Sequence, residues 1–199
     1  MCTAFCFNLD GTITTTEVTP CIASEIGLSN EIAMLTHAVM DGKIPFEPTF
    51  KLICRILNQI PTDKVQKIVA TIPLDEDIIT FIHRHRSCSF IVTGKLDFWV
   101  HPVFRFCGCE SFSSTSIINE GRLMLNKIID KAEIIRDIRS RGYKRVVAVG
   151  NSTIDDAMLR AADIAIAFGG ILAPSKSVIS VSDYVIHNGA ALCRTLQEL

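Results

Sequence analysis

The chain has 199 residues, a length that suits one α/β core with a small accessory domain. Hydrophobic residues make up 48% and charged residues 21%, which is typical of a globular protein and not of a disordered one. Because the formal net charge is only −1 and no apolar run is long enough to span a bilayer, we expect neither a nucleic acid nor a membrane as a partner.

The cysteines bear on the compartment. Eight of them lie mostly in apolar runs, which favours reduced, buried thiols over a disulfide framework. The chain also begins almost at once with an apolar strand, without the basic and apolar regions of a secretory leader. We therefore predict a cytoplasmic protein. Cys107 and Cys109 hint at metal binding, but the absence of a second pair with ligand spacing argues against zinc.

The first strand is predicted over residues 4–7, a short apolar run followed by Asn8, Asp10 and Gly11. Strand alternation places Asn8 and Asp10 on the same side, and Gly11 lets the chain leave the strand with an unusual backbone angle. Two polar side chains are thus presented at the carboxyl end of a strand, where open α/β sheets hold their ligands. An ordinary strand followed by an Asp-Gly turn is the alternative interpretation.

The pattern then becomes helical up to residue 73. Apolar residues recur at helical spacing in four segments separated by glycines and prolines, at 20–26, 30–40, 46–57 and 62–70. We predict a four-helix insert, with Ser29 and Thr62 as helix N-caps.

The rest of the chain alternates between helices and strands. The predicted elements are a helix over 75–86, a strand over 89–93 closed by Thr93 and Gly94, a helix start and loop over 96–106 limited by Pro102, a hairpin over 110–126 with its loop at 119–121, and an amphipathic helix over 128–142. Lys131 lies near the start of that last helix, where the helix dipole mildly disfavours a cation. An ammonium there suggests an anionic partner, although an ordinary exposed lysine is the alternative, with Lys127 and Lys144 as competing candidates.

A second polar strand end follows. The buried strand over 146–149 is followed by Gly150, Asn151 and an acidic loop that contains Asp155 and opens a helix. A further helix end and strand follow from residue 161.

In order and spacing, these segments resemble the four motifs of the haloacid dehalogenase superfamily, and the insert is similar to the small helical cap of its phosphoserine phosphatase branch. The resemblance implies a Rossmann-like parallel-sheet core of residues 1–15 and 75–199, with a cap of residues 16–74 inserted after the first strand. It also implies a magnesium-dependent phosphomonoesterase that acts on a small phosphorylated metabolite through an aspartyl-phosphate.

The resemblance assigns roles to individual positions. Asn8 stands at the nucleophile position, Asp10 is the general acid/base, and Thr93 and Lys131 complete the catalytic set. Magnesium would be held by Asn8, Asp10 and Asn151, with Asp155 in support. The remaining phosphate- or substrate-binding positions are Gly11, Thr12, Glu17, Phe46, Gly94, Lys95 and Ser152.

Four positions depart from the family pattern. Asn8 and Asn151 replace carboxylates, Ile53 replaces the cap arginine that clamps a substrate carboxylate, and Ile154 replaces an asparagine. An amide oxygen is neutral and a weaker nucleophile and ligand than a carboxylate, so we expect little turnover, weakened magnesium binding and an under-compensated Lys131. Phosphoserine is then a poor substrate candidate. Three hypotheses remain: a disabled phosphatase, a pseudophosphatase that binds a phosphorylated ligand or protein, and a phosphotransferase.

Overall fold

The computed structural model describes residues 3–119 and 122–199, and within these ranges seven strands form one sheet. The strands are β1 (Thr3–Phe7), β2 (Ser89–Leu96), β3 (Glu110–Asn119), β4 (Arg122–Lys127), β5 (Arg145–Gly150), β6 (Ile164–Phe168) and β7 (Tyr184–Ile186). Their order across the sheet is β4-β3-β2-β1-β5-β6-β7. Every pair is parallel except β3 with β4. The predicted α/β class with a parallel core is confirmed.

The helices connect these strands. They are α1 (Val18–Ala23), α2 (Ser29–Met40), α3 (Phe46–Leu57), α4 (Thr62–Ala70), α5 (Glu76–Arg84), α6 (Asp97–Cys107), α7 (Lys131–Ser140), α8 (Asp156–Ala161), α9 (Lys176–Val181) and α10 (Gly189–Glu198). In the part of the chain that is described, no helix is both long and apolar enough to cross a membrane.

The sheet is buried on both faces. Ala4 and Cys6 of β1 belong to one apolar cluster, which includes Ile135 of α7. Phe5 and Phe7 belong to the other cluster, together with residues of α5 and of the four helices between β1 and α5. Strand alternation thus gives each helical layer its own apolar face. Because β2, β1, β5 and β6 are parallel, their carboxyl ends lie at one edge of the sheet.

Helices α1 to α4 correspond to the predicted insert. The predicted N-caps are wrong: α2 begins at Ser29 and α4 at Thr62 themselves, after Leu28 and Pro61, and neither end has a side-chain cap bond. The two connections to the core meet, because Thr14 forms an isolated antiparallel bridge with Leu74. The division into domains at 15/16 and 74/75 stays a prediction, and this bridge lies at that boundary.

Two predictions fail between residues 89 and 107. Strand β2 continues past Thr93 to Leu96, and α6 runs through Pro102 without a break. Because a proline has no N–H, the carbonyl of Phe98 one turn earlier loses its helical donor. Gln66 of α4 replaces that donor, with Nε2 at 3.2 Å from the Phe98 oxygen.

The predicted hairpin is present as β3 and β4. Its predicted loop at Glu120 and Gly121 lies outside the described residues.

Candidate active site

The polar ends of three adjacent strands surround one small cavity of about 40 Å³. Strands β1, β2 and β5 are parallel neighbours, so the loops that follow them open at the same edge of the sheet. The lining residues are Asn8, Asp10, Thr36, Met40, Phe46, Thr93, Gly94, Lys95, Lys131, Ser152, Ile154 and Asp155. A larger hollow of about 490 Å³ lies between α3 and β4 and contains none of the predicted site residues.

The Asn8 side chain lies directly after β1, is buried, and uses both ends of its amide. Its Oδ1 accepts a hydrogen bond from Lys131 Nζ at 3.0 Å. Its Nδ2 donates to the Asp10 carbonyl oxygen at 3.0 Å and to Asn151 Oδ1 at 2.9 Å. Both the oxygen and the nitrogen of the Asn8 amide therefore have hydrogen-bond partners within the chain.

Lys131 and Asp155 form a buried ion pair beneath Asn8. Nζ lies 2.6 Å from Asp155 Oδ1, and the side chains are 4% and 0% exposed. The other oxygen of Asp155 accepts from the backbone N–H groups of Asn151 and Ser152. The expectation of an under-compensated Lys131 is wrong, because a fully buried carboxylate balances its charge. The competing candidates Lys127 and Lys144 are exposed.

Asp10 is also fully engaged. The chain has already left β1 at this point, so the turn, and not strand alternation, directs the Asp10 side chain. Its Oδ1 accepts from the Val18 backbone N–H at 2.8 Å, and its Oδ2 lies 2.6 Å from Lys95 Nζ. Lys95 also donates to Thr19 Oγ1 at 3.2 Å. Lys95 was predicted only as a substrate contact, and its pairing with the predicted acid/base was missed.

Gly11 and Thr12 complete the turn after β1 but do not line the cavity. Gly11 has φ +75°, and a Cβ there would lie 2.6 Å from Asn151 Nδ2. The unusual backbone angle was predicted, and the close approach to Asn151 is a second reason for glycine at this position. Thr12 is buried, and its hydroxyl has no hydrogen-bond partner in the structure.

The cap closes the cavity from above. Phe46 stacks on Phe50, and its ring approaches Gly94 so closely that a Cβ there would lie 3.2 Å from it. Thr36 and Met40 of α2 also line the cavity and were not predicted as site residues. Their helical spacing in α2 does not distinguish them from core residues, because apolar core positions recur at the same spacing.

Glu17 lies outside the cavity lining, at the start of α1. Its Oε2 is 2.6 Å from His37 Nε2, whereas its Oε1 is buried without a hydrogen-bond partner. Burial raises the pKa of Glu17, the nearby charge of Asp10 raises it further, and His37 acts in the opposite direction. His37 is a second contact that the sequence interpretation missed.

Known proteins share part of the sequence of this chain. No family model matches the chain. The chain is 28% identical over 175 residues to a phosphoserine phosphatase of Archaeoglobus fulgidus, covering 81% of the chain and 51% of that relative. It is 27% identical over 175 residues to the phosphoserine phosphatase of Methanocaldococcus jannaschii, covering 81% of the chain and 83% of that relative. The chain thus spans about half the length of the first relative and most of the second.

Solved structures agree with the sequence relatives. A substrate-bound phosphoserine phosphatase complex superposes with a TM-score of 0.81 at 26% identity, covering 94% of this chain and 93% of the other. A phospho-aspartyl intermediate analogue of phosphoserine phosphatase gives a TM-score of 0.79 at 25% identity, covering 92% of each chain. The relatives and the solved structures together support a phosphoserine phosphatase-like protein of the haloacid dehalogenase superfamily.

Phosphoserine phosphatases of this superfamily are generally magnesium-dependent, and the residues of this phosphoserine phosphatase-like chain do not fit that ion. Magnesium prefers hard, charged oxygen ligands. Asn8 directs an amide N–H, not an oxygen, toward Asp10 and Asn151. The two nearby carboxylates, Asp10 and Asp155, already pair with lysines. Among the described residues, no group of three or more His, Cys, Asp or Glu side chains is arranged to hold a metal.

Proposed function

We propose that this chain keeps the phosphatase frame for a small phosphorylated metabolite but does not hydrolyse it through a covalent aspartyl-phosphate. One observation carries the proposal: both ends of the Asn8 amide are held by neighbouring groups. A neutral amide is a poor nucleophile at best, because catalysis by a carboxylate nucleophile uses the free electron pairs of an anion. The Asn8 Oδ1 atom accepts a hydrogen bond from Lys131, and the Nδ2 group of the same amide is a donor with no electron pair available for attack.

The groups that would recognise a phosphoryl group are retained. Thr93 and Lys95 of β2 line the same cavity as Lys131 of α7. Ammonium groups and a hydroxyl can all donate to phosphoryl oxygens. Each lysine is balanced by a carboxylate, so a bound phosphoryl group competes with Asp10 for Lys95. Asp10 is thereby freed as the acid/base that the family resemblance assigns to it.

Entry of a metabolite requires movement of the cap side. A cavity of about 40 Å³ has room for water but not for a phosphorylated metabolite. Phe46, Met40 and Thr36 form its upper wall, so opening must displace α2, α3 or the Phe46 ring. Lids of this type open on a microsecond-to-millisecond scale.

Phosphoserine is a poor candidate for the metabolite, although the relatives carry that name. Ile53 occupies the position of the cap arginine, and it is buried in α3 with 4% exposure. Lys51 and Arg55 beside it are exposed on the other side of the helix and cannot replace that arginine. A metabolite without a carboxylate fits the apolar cap better.

A pseudophosphatase is the second candidate function. It is favoured by the two isoleucine positions, Ile53 and Ile154, which loss of the nucleophile alone does not explain. A cytoplasmic location is part of both proposals, and the free, buried thiols of Cys6, Cys54 and Cys107 support it. Burial raises the pKa of Cys54 and of Cys107 to about 12, which keeps these thiols unreactive.

A panel of small phosphomonoesters separates the two candidates. Thermal stabilisation by each compound measures binding, and phosphate release measures turnover, for the parent chain and for Asn8→Asp/Asn151→Asp. The proposal expects stabilisation of the parent without release, and release by the double variant. Release by neither favours the pseudophosphatase, whereas rapid release by the parent refutes both.

A further inference from the structure

The orientation of the Asn8 amide is dictated from both sides. Lys131 Nζ can only donate, so the atom 3.0 Å from it must be Oδ1. The Asp10 carbonyl oxygen can only accept, so the atom 3.0 Å from it must be Nδ2. The two requirements agree, and they leave no freedom to exchange the nitrogen and oxygen of this side chain.

A carboxylate at position 8 would create a different environment. Its second oxygen would stand where Nδ2 stands, about 3 Å from the oxygens of Asp10 and Asn151. Three acceptor oxygens would then face one another without a hydrogen between them, and a cation among them would relieve the repulsion. With asparagine, the two hydrogens of Nδ2 bind the oxygens of Asp10 and Asn151, so no cation is needed between them.

Rotation of the Asn8 amide, which would direct its oxygen toward Asp10 and Asn151, is unfavourable. A flip would bring the NH₂ group against the Lys131 ammonium at about 3 Å, where two donors face each other. The nearby Asp155 carboxylate is not free to accept from the flipped NH₂ group, because it already accepts from Lys131 and from the N–H groups of Asn151 and Ser152. The closed arrangement is thus locked by buried groups on three elements.

We infer that the Asn8 amide takes the structural place of the divalent cation, so that this chain holds a phosphoryl group through Lys131 and Lys95 without any metal. Inorganic phosphate is the simplest ligand of that class. The ligand part of this inference rests on the proposed function, whereas the exclusion of the cation rests only on the hydrogen bonds of Asn8.

Two single variants test the exclusion because they add the same charge at the same site. Asn8→Asp removes the donor, whereas Asn151→Asp adds a carboxylate but keeps the acceptor oxygen that Asn8 Nδ2 binds. Thermal unfolding is measured for the parent and both variants with magnesium chloride and with EDTA. Asn126→Asp, on the exposed edge strand β4, controls for added surface charge.

We expect magnesium to raise the melting temperature of Asn8→Asp by roughly 5 °C when the ion is far above its Kd. The parent, Asn151→Asp and Asn126→Asp should show no such rise. A rise in the parent, or equal rises in Asn8→Asp and Asn151→Asp, would overturn the inference. If Asn8→Asp does not fold in EDTA but folds with magnesium, the inference is supported equally.

Inorganic phosphate tests the ligand part in the same assay. The parent should be stabilised to the same extent with magnesium and with EDTA. Stabilisation that needs magnesium overturns the inference. If phosphate stabilises the parent under neither condition, the metal-free phosphate site and the ligand class of the proposed function both fail, while the magnesium comparison still decides whether Asn8 excludes the cation.

Discussion

Replacing Lys131 with methionine tests the buried charge balance of the site. The substitution keeps the length of the side chain but leaves the Asp155 carboxyl group, which is 0% exposed, without its ammonium partner at 2.6 Å. Breaking a buried pair by removing one partner costs about 3–5 kcal/mol. Since 1 kcal/mol shifts the melting temperature of a domain of this size by about 2–4 °C, we expect Lys131→Met to unfold roughly 10 °C below the parent.

Urea unfolding followed by tryptophan fluorescence provides the assay, because Trp99 is the single tryptophan of the chain and is buried. Lys51→Met is the matched control: its partner Glu47 is exposed, and the loss should stay below about 0.5 kcal/mol. Lys131→Met/Asp155→Asn should recover part of the loss, since no unpaired charge remains. A loss below about 1 kcal/mol for Lys131→Met would refute the charge balance described above.

Three further substitutions probe the parts around the site. The pKa of Glu17 is raised above its ordinary value of 4.5 in the folded protein, so ionisation of this side chain opposes folding as pH rises. The free energy of unfolding of Glu17→Gln should therefore increase relative to that of the parent with rising pH, which urea unfolding between about pH 4 and 7 measures. Gln66→Ala should cost about 1–3 kcal/mol in the parent but much less in a Pro102→Ala background, where the helix regains its own donor. Gly11→Ala should cost more than Gly27→Ala, since both have positive φ and about 1–2 kcal/mol of strain but only the first also meets a neighbouring side chain.

Each of these has an opposite result that counts against its reasoning. If the difference in unfolding free energy between Glu17→Gln and the parent does not change with pH, burial does not raise the pKa of Glu17. Equal costs of Gln66→Ala in the two backgrounds would mean that its amide does not compensate for Pro102. Equal losses at Gly11 and Gly27 would show that the turn after β1 has room for a methyl group.

The sequence could predict which polar residues lie together, because the topology of the sheet determines where the strand ends meet. Parallel strands that alternate with helices bring their carboxyl ends to one edge, so polar residues after β1, β2 and β5 must converge. Asn8, Thr93 and Asp155 are far apart in the chain and line one cavity. Lys131, which is favoured over Lys127 and Lys144 by its spacing to the fourth motif of the resemblance, lines the same cavity.

The interpretation failed where the outcome depends on a partner distant in sequence. Pro102 breaks a helix unless another donor replaces its N–H, and Gln66 lies too far away in the chain for a local pattern to reveal it. The pairing of Lys95 with Asp10 is equally invisible, because β2 was predicted to end before Lys95. For the metal, the consequence of Asn8 was predicted only as weakened binding, since the direction of an amide is decided by the groups around it.

The central claim is that Asn8 blocks covalent phosphoryl transfer in a chain that keeps the fold of the phosphoserine phosphatases. Turnover of p-nitrophenyl phosphate tests it most directly, because the good leaving group makes recognition of the alcohol unnecessary. With magnesium present, the parent should release nitrophenol no faster than buffer, and Asn8→Asp/Asn151→Asp should release it at least about 100-fold faster. A parent that matches the double variant would contradict the account.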